Sequence, residues 1–366
     1  MHRREEIPVR IAVIGGGNGA LAVACEWSLA GHEVTMAEAA DFGGGLVPVT
    51  EAGGIHGTGK LDGFAPVALA GTDFAAALDG AELVQVVGPA FATQPLAREC
   101  APHLRPGMTV LVNPGSCLGA VAFARAAGLE LDQDEIVVAE TSTLPYATRV
   151  TGPGTVHVFH KLTGALFVAA LGQDATIAVR DQLAQVWPEV VAATSVWQTA
   201  LQNGNPVIHP AVTLLNAALI ERTGGDFMFY EEGVTPATGR LMAAVDQERI
   251  AIGRALGVEV LTEPATGVAQ GYMLEDNYTT GYSTAPGFLG IKAQDSLENR
   301  YLTEDVGVTM VFFRDVARSV GVQTPVMDAI VEVSSIIMDT DYAADPQRTL
   351  ASLGLADLPA EQLRKL

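Results

Sequence analysis

Hydrophobic and polar positions change their spacing about halfway along the chain. In the first half, short β-branched runs alternate with alanine-rich stretches of helical periodicity. This alternation predicts a mostly parallel sheet with crossover helices. Most predicted strands are continuous apolar runs, as expected when helices cover both faces of a sheet. The strands are Val9–Ile14, Glu33–Ala37, Leu83–Val87, Thr109–Asn113 and Ile136–Ala139, and the helices lie near Ala20–Ala30, Phe91–His103 and Leu118–Ala127.

Two segments of the first half do not fit this alternation. The runs Thr155–His160 and Ala165–Leu171 are joined by a short connection, which predicts an antiparallel hairpin appended to the sheet. The glycine-rich stretch Gly43–Gly63 is too long and irregular for a simple turn, so we expect a loop or an excursion from the sheet there.

After about residue 195, signals for helix starts and ends recur. Thr235-Pro236 predicts the start of a helix that ends before Gly257, because threonine caps helices, proline suits the first turn and glycine suits the end. A second helix is predicted to begin at Thr324-Pro325, and a third to be capped by Thr303 and to end before Gly321. We therefore predict two domains, an α/β domain at residues 1–195 and an all-α domain at residues 196–366.

The first predicted strand leads into a glycine-rich turn. Gly15, Gly17 and Ala20 follow the GxGxxA spacing between a strand and a helix, which is typical of a Rossmann dinucleotide-binding domain with a doubly wound sheet. Gly15 permits the tight turn, Gly17 lets the backbone approach a pyrophosphate, and Ala20 allows close packing. Asn18 and Gly19 complete the helix start, where unpaired N–H groups attract phosphate.

Three further residues are predicted to border the cofactor. Glu38 ends the second strand, where its carboxylate can bind both ribose hydroxyls and repels a 2′-phosphate, so NAD is favoured over NADP. Pro89 and Asn113 follow later strands, and ligands of open α/β sheets lie at the carboxyl ends of the strands. Thr141 and Ser142 are weaker candidates of the same kind. Turn chemistry alone explains Pro89 well and Asn113 poorly.

The composition changes this picture mainly through charge. Of the 366 residues, 49% are hydrophobic, but Lys and Arg number 21 against 42 Asp and Glu, a net charge of −21. A chain this anionic is a poor binder of nucleic acid or membrane surfaces. The sequence lacks an apolar stretch of transmembrane length, and its first residues do not resemble a signal peptide. Three cysteines cannot all pair, so we expect a cytoplasmic protein, and no metal site.

One histidine of seven lies in the predicted helical domain. His209 precedes Pro210, and a residue before proline avoids the α conformation, so we expect His209 at the entrance of a helix that begins at Pro210. A histidine at such a position can act as a general acid and base. It can equally serve as a capping group.

The segment around His209 resembles the opine dehydrogenases, and most closely the bacterial N-(1-D-carboxyethyl)-L-norvaline dehydrogenase type. Octopine and nopaline dehydrogenases are relatives of that type. The resemblance covers essentially the whole chain and is most specific in the second half. The similar stretches are 205–218, 229–236, 245–252, 299–306, Thr324-Pro325 and 339–342.

This resemblance implies an NADH-dependent condensation of a 2-oxo acid with the amino group of an L-amino acid, through an imine. It implies that His209 is the acid and base, that Asp305 orients it, and that Arg300 binds a substrate carboxylate. Asn205 either orients substrate or cofactor or is a turn residue. The segment Glu263–Gln294 resembles the family least, and it lies where amine specificity would be set.

Two other functions stay open at this point. One is reduction of a 2-oxo acid by an enzyme of the ketopantoate reductase kind, which rests on an interdomain lysine; in the second half only Lys292 could supply it. The other is a dinucleotide-binding sensor without turnover. We expect small molecules as binding partners. The sequence does not decide the oligomeric state, and a homodimer is one of the alternatives.

Overall fold

A computed structural model of the protein describes residues 8–172, 174–344 and 346–366. The chain divides into two compact units, with the main boundary between residues 192 and 193; residues 116–118 and 162–167 group with the second unit. The first residues, which were compared above with a signal peptide, lie outside the described residues up to position 7. In the described part of the chain, no helix combines the length and the apolarity needed to cross a membrane.

The first unit is built on the predicted sheet. The strands of the chain, in the described residues, are β1 (Arg10–Ile14), β2 (Glu33–Ala37), β3 (Gly54–Gly59), β4 (Gly63–Pro66), β5 (Leu69–Gly71), β6 (Leu83–Val86), β7 (Thr109–Val112), β8 (Val137–Thr141), β9 (Tyr146–Gly152), β10 (Thr155–Lys161), β11 (Leu166–Ala170) and β12 (Val190–Ala192). The main sheet has the order β12-β11-β8-β7-β6-β1-β2-β5; its strands are parallel from β8 to β5, while β11 is antiparallel to β8.

Helices connect these strands as the periodicity predicts. The helices of this unit are α1 (Asn18–Leu29), α2 (Val47–Ala52), α3 (Phe74–Leu78), α4 (Thr93–Cys100), α5 (Gly119–Ala126) and α6 (Ala175–Leu183). The five predicted strands of the main sheet are present within two residues at each end. Strand β1 lies centrally and is fully buried from Ile11 to Ile14, so the glycine turn leaves from the middle of the sheet.

A second sheet shows that the predicted hairpin is wrong. Strand β10 pairs with β9 in antiparallel fashion and with β3 in parallel fashion, in the order β4-β3-β10-β9. The run Ala165–Leu171 instead supplies β11 of the main sheet. The hairpin of this sheet is formed by β9 and β10. It is closed by the turn Pro153-Gly154, where Gly154 adopts the left-handed conformation, with φ +60°.

Of the two structures predicted for Gly43–Gly63, the segment forms the excursion, outside the main sheet, and not the loop. A 3₁₀ segment at Ala40–Leu46 leads into α2 and then into β3. A Cβ atom at Gly57 would lie 2.7 Å from Cys25 Sγ on α1. Glycine is therefore needed for close approach of the helix to this strand, and it does not mark a loop.

The second unit is mostly helical, as predicted. Helix α10 begins after Thr235, whose hydroxyl accepts the Thr238 N–H, and ends at Gly257 with φ +80°, which confirms both predicted ends. The helices are α7 (Val196–Leu201), α8 (Asn205–Leu215), α9 (Ala217–Thr223), α10 (Pro236–Leu256), α11 (Glu263–Ala269), α12 (Thr280–Ser283), α13 (Arg300–Thr303), α14 (Val311–Ser319), α15 (Pro325–Ile337) and α16 (Ala360–Leu363).

The prediction for Thr303 is wrong in detail. Asn299 caps α13 instead, because its side chain accepts the Tyr301 N–H at 3.3 Å, and Thr303 is the last residue of that helix. A π-helical segment, Asp305–Met310, follows and continues into α14, which ends before Gly321 as predicted. Helix α15 begins at Pro325 after Thr324, again as predicted.

Candidate active site

The glycine turn after β1 has the geometry of a phosphate cradle. Gly15 has φ +133°, and a Cβ atom there would lie 2.2 Å from the Val87 carbonyl oxygen, so only glycine fits. Gly17 precedes α1, and a Cβ atom there would meet nothing within 4 Å. Protein packing therefore does not require glycine at position 17. A pyrophosphate that approaches the backbone closely would require it, because a side chain would stand in its way. Ala20 is fully buried, and a Cβ atom at Gly19 would touch Leu144 at 3.0 Å.

Asn18, the first residue of α1, makes a contact that the sequence did not reveal. Its side-chain oxygen accepts the N–H of Val150 on β9 at 2.7 Å. The side chain thereby ties the start of α1 to the second sheet. The predicted contribution of Asn18 to cofactor binding is therefore indirect, because the side chain holds the start of α1 in place.

Glu38 lies beside the same turn. Its carboxylate accepts the N–H of Gly16 and the N–H of Ala39, each at 2.8 Å. The side chain is thus fixed at the carboxyl end of β2, where the ribose of a bound dinucleotide lies in this fold. A fixed anion at this point suits a ribose with two free hydroxyls and disfavours a 2′-phosphate.

Asn113 and Pro89 lie at the carboxyl ends of β7 and β6, as predicted. The hydroxyl of Thr141 donates to the Asn113 side-chain oxygen at 2.8 Å. The Asn113 Nδ2 atom is buried and has no hydrogen-bond partner in the described residues. Leaving such a donor unpaired costs about 1–3 kcal/mol, so a ligand that accepts from it would be stabilised. Pro89 precedes a short 3₁₀ turn at Ala90–Ala92.

His209 lies inside a helix, so its predicted position at a helix entrance is wrong. Helix α8 begins at Asn205, has Pro206 in its first turn and tolerates Pro210 in its interior. The bias of a residue before proline is a preference, and tertiary packing overrides it here. Asn205 begins the helix, and its N–H donates to the Asn203 side chain at 3.1 Å.

The His209 imidazole is held on three sides. Its Nδ1 lies 2.7 Å from Oδ2 of the buried Asp305. The ring of Tyr301 stacks on the imidazole at a centroid distance of 3.8 Å. The third neighbour is Tyr230, whose hydroxyl lies 3.3 Å from Nε2. Because a carboxylate only accepts hydrogen bonds, we assign the proton to Nδ1, which leaves Nε2 as the atom that can exchange a proton.

Tyr230 keeps its proton in this setting. Burial, followed by the charges of neighbouring acidic groups, raises the pKa of Tyr230 well above its ordinary value. The phenol is therefore a neutral hydrogen-bond donor that points towards Nε2. Neither Tyr230 nor Tyr301 was assigned a role from the sequence, although both lie in stretches that carry the family resemblance.

Asp305 and Arg300 come from two successive helical segments, the π-helical segment Asp305–Met310 and the short helix α13 before it. Asp305 begins the π-helical segment, and such segments often occur at functional sites. Arg300 begins α13, forms an ion pair with Glu304 at 3.0 Å and leaves 58% of its side chain exposed. It lies close enough to Asp305 for their charges to interact. Of the predicted second-unit residues, Asp305 contacts His209 directly, Asn205 lies one helical turn before it on α8, and Arg300 is linked to this pair through its charge interaction with Asp305.

A dinucleotide cradle in one unit and a buried histidine–carboxylate pair in the other define a nucleotide-dependent dehydrogenase. The sequence model of the NAD/NADP octopine/nopaline dehydrogenase α-helical domain matches residues 192–338. Opine dehydrogenase from Arthrobacter sp. (strain 1C) is 33% identical over 96% of this chain and 97% of its own length. The chain therefore belongs to the opine dehydrogenase family, which confirms the resemblance.

More distant relatives agree in fold. Protein ocs of Agrobacterium vitis is 28% identical over 80% of both chains. A structure of octopine dehydrogenase in complex with NADH and agmatine matches at a TM-score of 0.78 and 19% identity, over 98% of both chains. A ketopantoate reductase from Ralstonia eutropha JMP134 matches less well, at a TM-score of 0.62 and 19% identity, over 90% of this chain and 99% of that one.

Proposed function

We propose that this protein catalyses the NADH-dependent reductive condensation of a 2-oxo acid with the amino group of an L-amino acid, which yields an N-(carboxyalkyl)amino acid. The observation that carries the proposal is the His209–Asp305 pair in a chain of the opine dehydrogenase family. Octopine dehydrogenase itself has been solved with NADH and L-arginine and with NADH and pyruvate. Those ligands illustrate the two substrate classes.

The residues of the second unit suit the proton transfers that this reaction needs. An imine accepts hydride well only when its nitrogen is protonated, and His209 can deliver that proton through Nε2. Asp305 fixes the tautomer and stabilises the charged ring when the proton is taken back. Arg300 offers a planar set of donors that matches a carboxylate, and Asn205 begins the helix that carries His209.

The residues of the first unit fit NAD, which supplies the hydride when bound. Gly15, Gly17 and the start of α1 would hold the pyrophosphate, Glu38 would hold the ribose, and Asn113 offers its unpaired amide. NADP is less favoured because of the Glu38 carboxylate. A cytoplasmic location and domain limits at residues 195 and 196 stay predictions.

The lysine-based alternative is not favoured. Lys292 lies on the surface with 62% of its side chain exposed and pairs with Asp226 at 2.6 Å. A sensor without turnover is not favoured either, because the buried His209–Asp305 pair is assembled. A Lys292→Ala variant should therefore keep full activity, whereas His209→Ala should lose it.

The test follows NADH oxidation with pyruvate alone and then with pyruvate plus each of several L-amino acids. We expect oxidation to require an amino acid. Oxidation at the same rate without any amine would refute the proposal and favour a 2-oxo acid reductase. NADH binding without any oxidation would favour a sensor.

A further inference from the structure

Glu263 is a buried carboxyl group that the proposed mechanism does not use. It begins α11, only 6% of the residue is exposed, and its Oε2 has no hydrogen-bond partner in the described part of the chain. Burial, with a further contribution from Asp246, raises the pKa of Glu263 to about 8. Such a group is costly to the fold and calls for an explanation.

The two other charged groups near Glu263, Asp246 and Arg249, form an ion pair with each other. Asp246 accepts hydrogen bonds from Arg249 at 2.7 Å, from the Tyr278 hydroxyl at 2.6 Å and from the Glu263 N–H at 2.7 Å. Arg249 also donates to the carbonyls of Leu201 and Leu261. The buried guanidinium of Arg249 is thus paired with Asp246, and its charge only partly offsets the burial of the Glu263 carboxyl group.

The Glu263 carboxyl group lies beside the elements that carry the proposed site. A Cβ atom at Gly204 would lie 2.7 Å from its Oε1, and Gly204 immediately precedes the helix of His209. Tyr230, whose hydroxyl contacts His209 Nε2, is close enough to Glu263 to experience its charge. A nitrogen that exchanges a proton with Nε2 would therefore lie in the neighbourhood of this carboxyl group.

We propose that Glu263 binds the ammonium group of the amino substrate. The inference rests on the proposed function and assigns a residue to one of its substrates. A primary ammonium supplies both the positive charge and the N–H donors that Oε2 lacks. Binding ionises Glu263, so the substrate displaces a proton from the carboxyl group at neutral pH.

Steady-state kinetics of Glu263→Gln test this assignment. The change keeps the shape and removes the charge, so we expect the KM for the amino acid to rise by about 10- to 100-fold, as for the loss of a charge-assisted hydrogen bond. The KM for pyruvate should stay within about twofold, because only the amine contact is altered. Glu259→Gln, the same change at an exposed glutamate nearby, is the matched control and should alter neither.

A second readout needs no turnover. Calorimetry of the wild-type protein with the panel amino acid of lowest KM, in two buffers of different ionisation enthalpy at pH 7, should show proton release. The same acid without its amino group should release none, and Glu263→Gln should release none with either ligand. If no amino acid oxidises NADH, the whole panel is titrated without pyruvate. The proposed function then fails while Glu263 is still tested. Buffer-independent heats for every amino acid, or an unchanged amine KM in Glu263→Gln, would overturn the inference.

Two measurements separate this role from a structural one. Because the folded-state pKa of Glu263 lies above that of an unfolded carboxyl, the wild type should lose stability relative to Glu263→Gln as the pH rises from about 4.5 to about 8. The variant should therefore gain stability relative to the wild type over this pH range, as followed by urea unfolding at pH 4.5 and pH 8. Gly204→Ala should raise the amine KM as well, since it displaces the carboxyl group without removing it. An Ala variant with an unchanged amine KM would contradict the placement.

Discussion

Replacing Asp305 by asparagine tests the orienting role of the carboxylate with little change of shape. In the wild type, the 2.7 Å contact between Asp305 Oδ2 and His209 Nδ1 is buried, with only 2% of the Asp305 side chain exposed. A hydrogen bond to a charged group in such a setting contributes about 1.5–3 kcal/mol. If that energy stabilises the protonated ring in the transition state, kcat should fall about 10- to 150-fold.

The assay measures kcat for NADH oxidation at saturating pyruvate and amino acid, together with thermal unfolding of each variant. The matched control is Asp226→Asn, which removes one partner of the exposed ion pair with Lys292. Exposed pairs contribute about 0–1 kcal/mol, so this variant should keep the wild-type kcat within about twofold. A folded Asp305→Asn protein with kcat within about threefold of wild type would refute the orienting role.

Three further changes give distinct outcomes. Glu38→Gln removes the fixed anion beside the glycine turn, so the ratio of the dissociation constants for NADPH and NADH, measured by fluorescence titration, should fall by about tenfold. An unchanged ratio would show that Glu38 does not contact the ribose. Arg300→Lys should raise the KM for pyruvate by about tenfold and leave the KM for the amine unchanged, because lysine cannot bind a carboxylate in bidentate fashion. An unchanged KM for pyruvate would show that Arg300 does not bind its carboxylate. In the first unit, Gln85 is fully buried and neither side-chain polar atom has a partner in the described residues. Gln85→Leu should therefore raise the free energy of unfolding in urea by about 1–3 kcal/mol, and a loss of stability would imply that the amide is satisfied.

Local chemistry explains why much of the fold could be predicted. The ends of α10 follow from Thr235-Pro236 and Gly257, whose effects are confined to one helical turn. The strands of the main sheet follow from apolar runs that only a doubly covered sheet can bury. In both cases the determining residues are neighbours in sequence.

The errors arise where distant residues decide the structure. Strand β10 pairs with β3, about 100 residues earlier in the chain, and no local feature of Thr155–Lys161 indicates that partner. A glycine such as Gly57 suggests a loop when only the sequence is considered. In the structure it lies in a strand, where the close approach of α1 leaves no room for a side chain. At the site, Tyr301 acquires its role only when α13 brings its ring against His209 of α8, and Tyr230 only when the segment between α9 and α10 brings its hydroxyl to Nε2. Glu263, likewise, gains significance only from its burial.

The ion pair of Arg300 with Glu304 is compatible with a carboxylate clamp. Only 6% of the Glu304 side chain is exposed, so a substrate carboxylate has to bind Arg300 beside Glu304 and not in its place, because a buried carboxylate left without its partner is costly. The chain has 21 basic residues against 42 acidic ones, so an anionic substrate meets an unfavourable overall field. A guanidinium already held by Glu304, one helical turn away, loses less side-chain freedom on binding than an unheld arginine would. Glu304 therefore weakens the attraction of Arg300 for the anionic oxo acid, but it positions a guanidinium that can bind the carboxylate in bidentate fashion.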